Sequence, residues 1–171
     1  MSFLSEIGLA VAVEKGASGF IDGVELIEGG LRVDPKASPS CLLHEAGHLA
    51  VVPAQFRHYL NGNIANGLIR AFEEIEARGL PGDDPLYRKM LQAGDTEATA
   101  WAWAAGKALN IPEELIIRDE DYDATGESIR LGLSHNAYLG INGIANADFC
   151  SARRSHRGLP VYPTLAFWLQ H

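Results

Sequence analysis

The chain has 171 residues and a formal net charge of −8, from 14 Lys and Arg against 22 Asp and Glu, with 47% hydrophobic and 21% charged residues. That apolar content excludes wholesale disorder, and the length fits a single domain over 1–171 with a core of its own. The acidic balance argues against a nucleic-acid or anionic-membrane binder, since both need clustered Lys and Arg to neutralise phosphate.

In chain order, the apolar run 7–13 follows no Lys or Arg and is closed by Glu14 and Lys15, unlike a signal peptide. It is expected to form the first helix. No stretch approaches the ~18 consecutive apolar residues of a membrane span. Cys41 and Cys150 are too few for a disulfide framework and read as free thiols, so no membrane partner and a cytoplasmic location are expected. The β-prone runs 20–27 and 31–34 flank Gly29-Gly30 and predict a small hairpin or meander. Ser38-Pro39 is a helix start, a hydroxyl cap followed by proline, and predicts a helix over 41–52 that stops before Pro53. An amphipathic helix is expected over 64–78 and a short one over 86–92. Asp95 is read as the cap of a strong helix over 96–109 that is almost all Ala and Trp. A short helix starts at Pro112, 119–123 is an acidic connector, 128–149 has helical spacing interrupted by glycines, and 162–169 reads as a final short helix.

Residues 44–48 carry the chemistry: His44-Glu45-Ala46-Gly47-His48 is an H-E-x-x-H pattern on an independently indicated helix. Residues four apart share a helix face, so both imidazoles can bind one Zn²⁺. Zinc lowers the pKa of water, and Glu45 beside the pair can take its proton. A catalytic zinc needs a third protein ligand, for which Asp95, Glu97, His58 and His135 are candidates. Glu97 is preferred. Its helix is apolar on every side, and a buried carboxylate is costly unless paired or metal-bound.

These residues, His44-Glu45-Ala46-Gly47-His48 followed by a helix bearing Glu97-Ala98-Thr99-Ala100-Trp101-Ala102, resemble the ImmA/IrrE-type zinc metallopeptidases, an intracellular gluzincin-like family. The resemblance covers about 19–109. It implies Zn²⁺ held by His44, His48 and Glu97, Glu45 as general base, and a peptide or protein substrate. The expected fold is α+β, a mostly helical zincin-like domain with a small β-sheet before the H-E-x-x-H helix. The family often carries another His soon after the second ligand; here 49–55 holds none.

An oxyanion donor is also required. His135 and Tyr138, three apart on one expected helix, are the candidates, with Tyr122 behind them. Cys41 lies on the ligand stripe but reads as an ordinary buried thiol. The basic run Arg153-Arg154-Ser155-His156-Arg157 reads as a solvated turn, and Trp101, Trp103 and Trp168 as core. Three rivals remain: a metal-binding regulatory protein that cleaves nothing, favoured by a shallow cleft without an oxyanion donor; a zinc hydrolase of non-peptide amides or esters, favoured by a narrow closed pocket; and a purely structural helical domain, favoured by protein that carries no metal when purified without chelator.

Overall fold

The structure, a computed structural model, describes residues 1–153 and 158–171. Of the basic run, residues 154–157 therefore lie outside the described residues. The described elements run in order α1 (Ser2–Glu6), β1 (Val11–Val13), β2 (Val24–Ile27), β3 (Gly30–Val33), α2 (Pro39–Val51), a 3₁₀ turn (Ala54–Tyr59), α3 (Ile64–Ala77), α4 (Pro85–Met90), α5 (Asp95–Ala108), α6 (Glu113–Ile116), a second 3₁₀ turn (Asp119–Asp121), α7 (Gly126–Ser134) and α8 (Leu139–Asn146). The fold is the expected α+β arrangement, mostly helical with a small sheet ahead of α2. No described helix is long and apolar enough to cross a membrane.

β2 and β3 form the hairpin, pairing antiparallel from Val24 opposite Val33 to Ile27 opposite Gly30. β1 joins the other side of β3 in parallel, Val11 opposite Leu31. This corrects the reading of 7–13 as one helix. Gly8 sits at φ +101°, which ends α1, and the residues beyond it find a strand edge to pair with.

α2 starts as its sequence requires. The Ser38 hydroxyl accepts the Cys41 amide at 3.0 Å, and Pro39 occupies the first turn. Its face then packs on α5, whose residues from Glu97 to Gly106 are all buried. Gly47 makes that packing close: a Cβ there would lie 2.5 Å from the Ala98 carbonyl oxygen. Gly140 and Gly143 do the same on the other side, letting α8 rest on the first turn of α5 against Thr96 and Glu97.

The stretch 128–149 is two helices, and 162–169 is not helical. The tail instead crosses the core as an extended strap. Trp101 Nε1 donates to the Trp168 carbonyl at 2.8 Å, the Gln170 amide to Ala50 O at 2.8 Å, and the Ala166 amide to Phe149 O at 2.7 Å. These bonds tie the strap to the core at three points without a helix. Trp168 meets Trp101 and Phe3 edge-on, at ring-centroid distances of 5.9 and 5.0 Å.

Candidate metal centre

Helical spacing brings the two imidazoles together at the middle of α2. His44 Nε2 and His48 Nε2 are 3.1 Å apart. From the first turn of α5, Asp95 Oδ1 reaches to 3.2 Å from His48 Nε2. One ligand atom from each of the three lies within 4.8 Å of the others. His48 is buried, whereas the Asp95 side chain is 85% exposed, so the cluster sits at the floor of a cleft and opens to solvent through its carboxylate.

The surroundings of His44 suit a cation. Burial, with the like charge of His48, pushes the His44 pKa down to about 3, so its ring is neutral and its lone pair available. His44 Nδ1 lies 3.1 Å from the Tyr122 hydroxyl and 3.3 Å from Thr99 Oγ1. Both hydroxyls can accept a hydrogen bond from a proton carried on Nδ1, the tautomer that leaves Nε2 free to ligate. Burial raises the Glu45 carboxyl, with His48 pulling partly back. Glu45 Oε2 and His48 Nδ1 are buried with no hydrogen-bond partner among the described residues. Such orphans are costly in a finished core. A carboxylate oxygen left bare on a cleft floor is a sign of a polar group still to be supplied.

Of the two carboxylates weighed as third ligand, the structure brings Asp95 to the imidazoles and places Glu97, the one preferred from sequence, elsewhere. Residues two apart on a helix face opposite ways, and the Gly47–Ala98 contact fixes which way α5 turns. Asp95 shares the Ala98 face and meets α2. Glu97 turns toward α8, where its carboxylate lies over Gly143 and accepts from Thr96 Oγ1 at 2.9 Å. Asp95 is also not the helix cap. Gly94 occupies that position and makes no side-chain bond, which leaves the Asp95 carboxylate free. His58 is exposed and stacks on Tyr59, outside the cluster.

Of the expected oxyanion donors, Tyr138 lines the cleft and His135 does not. The single helix that would have aligned them breaks at Ser134, and Asn136 takes a left-handed turn at φ +54°. His135 is thereby turned to solvent, its Nδ1 3.0 Å from the Leu131 carbonyl. Tyr138 caps the start of α8 and lines the cleft. Burial raises the pKa of both Tyr138 and Tyr122, so both phenols are neutral donors. Cys41 lines the cleft as a buried thiol whose pKa burial raises, and it is not part of the cluster.

Thr99 went unnoticed in the sequence. Its signal was a hydroxyl four residues after Asp95, on the same face of an otherwise Ala and Trp helix. The cleft itself encloses about 1090 Å³ and runs from Phe20 and Ile64 to Tyr138. No family model matches the chain, and no curated protein or solved structure matches it.

Proposed function

We propose that the protein is a zinc-dependent metallopeptidase in which His44, His48 and Asp95 hold the metal. The observation that carries this reading is the convergence of three ligand atoms beside a buried, unpartnered Glu45 oxygen at the floor of an open cleft. Two imidazoles and a carboxylate are a donor set that suits zinc, and three protein ligands leave a position for substrate or water. When bound, the metal supplies Lewis acidity, polarising a carbonyl and making a water proton easier to remove.

The chain's own residues do the rest. Glu45, its carboxyl raised by burial, accepts the proton of the attacking water and passes it to the leaving amine. Tyr122 and Thr99 hold the His44 ring through Nδ1. Tyr138, a neutral phenol on the cleft wall, donates to the carbonyl oxygen as negative charge grows there. The volume and open run of the cleft favour an extended peptide over a small amide in a closed pocket, and the nearby phenol favours hydrolysis over mere metal storage. The likeness to the ImmA/IrrE-type peptidases supports the same reading through the H-E-x-x-H helix, with Asp95 in place of the Glu97 that likeness implied. The buried free thiols Cys41 and Cys150 fit a reducing, cytoplasmic setting, and no nucleic-acid partner is proposed.

The test is hydrolysis of a mixed peptide pool by zinc-loaded protein. Wild type cleaves, the chelator-treated protein does not, and Glu45→Gln keeps zinc while losing the activity. Cleavage that survives in Glu45→Gln would overturn the mechanism.

A further inference from the structure

The cleft has a chemical bias that the metal centre does not explain. Three carboxylates rim the end nearest the start of α2. Asp121 is tied there because the Ser38 hydroxyl donates to its Oδ2 at 3.2 Å. Asp22 arrives from the other side, because Gly23 lies against Ala37, where a Cβ would be 3.0 Å from the Ala37 Cα. Asp123 follows two residues after Asp121 and lines the same space. All three are exposed, and none is ion-paired among the described residues. No Lys or Arg is among the described residues that line the cleft. Uncompensated charge of one sign in a concave site concentrates the opposite charge there.

The same cleft also has apolar lining. Phe20 is 84% exposed at the cleft edge, with Ile64 and Leu68 beyond it. An aromatic ring this bare beside carboxylates suits a ligand with both an apolar surface and a cation, which the ring face also attracts. Independently of the acidic rim, the unpartnered Glu45 oxygen on the buried floor points to a ligand's polar group being received in this cleft.

We infer that the substrate is a cationic peptide, with Lys or Arg side chains that meet Asp22, Asp121 and Asp123 and apolar side chains that cover Phe20 and Leu68. This rests on the hydrolase reading above for the cleavage, and on the cleft alone for the charge preference.

The experiment uses two fluorescent peptides with a common Leu-rich core, one carrying Lys and one carrying Glu at the remaining positions. Zinc-loaded full-length protein is assayed for cleavage of each by mass spectrometry. Glu45→Gln protein is assayed for binding by anisotropy across a salt series. The Lys peptide is expected to bind and be cleaved about tenfold better than the Glu peptide, an advantage that shrinks as salt rises. In Asp22→Asn/Asp121→Asn/Asp123→Asn protein with wild-type zinc content, the preference is expected to fall below about threefold. The wild-type salt dependence decides the same question without any substitution. Equal or reversed preference, or a preference untouched by salt and by the triple variant, overturns the inference and leaves the hydrolase reading standing. Cleavage of neither peptide, with selective binding of the Lys peptide, removes the hydrolase reading and upholds the charge preference. Neither cleavage nor selective binding overturns both.

Discussion

Gly47→Ala tests how the centre is built. Gly47 lies between His44 and His48 of α2 and presses on Ala98 of α5. An added Cβ would lie 2.5 Å from the Ala98 carbonyl oxygen and 3.0 Å from its C and Cα, all backbone atoms that cannot rotate away. Restoring the 3.4 Å of ordinary contact requires the helices to separate by about 0.9 Å at that point. Overpacking of this kind costs about 1–3 kcal/mol, and alanine's better helix propensity returns about 1 kcal/mol. The net expectation is a loss of up to about 2 kcal/mol, at roughly 2–4 °C in Tm for each kcal/mol in a chain of this size. The same separation pulls Asp95 away from His48, so zinc affinity should fall with stability. Urea unfolding and a zinc-chelator competition titration read the two effects. Gly82→Ala, where a Cβ meets nothing within 4 Å, is the control. A Gly47→Ala protein as stable as wild type, with unchanged zinc affinity, would refute the claim that this close approach sets the site.

Other residues make separate demands. Glu45→Gln should lower kcat about 10²–10⁴-fold with zinc retained, measured on any peptide that wild type cleaves. Tyr122→Phe removes one of two hydroxyls beside His44 Nδ1 and should weaken zinc binding about tenfold, read by competition with a fluorescent chelator. Trp101→Ala, in the fully buried middle of α5, should cost about 3–5 kcal/mol in urea unfolding. Asp34 accepts the Gly16 and Lys36 amides, which hold its carboxyl below the usual 3.8. Its stabilising contribution is therefore present above pH 4 or so and lost as pH falls through the lowered value. Asp34→Asn should flatten the acid limb of the thermal-stability profile, and an unchanged limb would contradict this.

Local chemistry made much of this legible. Ser38-Pro39 announced α2, the glycine pair announced the hairpin, and an Ala and Trp run without a polar face announced a buried α5. Each depends on neighbours a few residues away, which a sequence displays directly. What was hidden depended on partners distant in the chain. The apolar run 7–13 carried no sign that β3 would offer an edge to Val11–Val13. The strap after Tyr162 is held by Trp101, Phe149 and Ala50, all contributed by other elements. The choice between Asp95 and Glu97 turned on the orientation of α5 about its axis. Burial favoured Glu97, and Glu97 is indeed buried, but against α8. The usable clue was smaller: Gly47 within H-E-A-G-H calls for a close partner, Ala98 can be that partner, and Asp95 sits three residues before it on the same face. His135 and Tyr138 were separated by a left-handed turn at Asn136, a conformation asparagine tolerates better than most residues.

The central claim is that His44, His48 and Asp95 form the zinc centre. Zinc content by plasma mass spectrometry, on wild type, Asp95→Ala and Glu97→Gln purified without chelator, tests it most directly. The account predicts stoichiometric zinc in wild type and Glu97→Gln and its loss in Asp95→Ala. Full zinc in Asp95→Ala together with loss in Glu97→Gln, or wild type that takes up no zinc on addition, would contradict it.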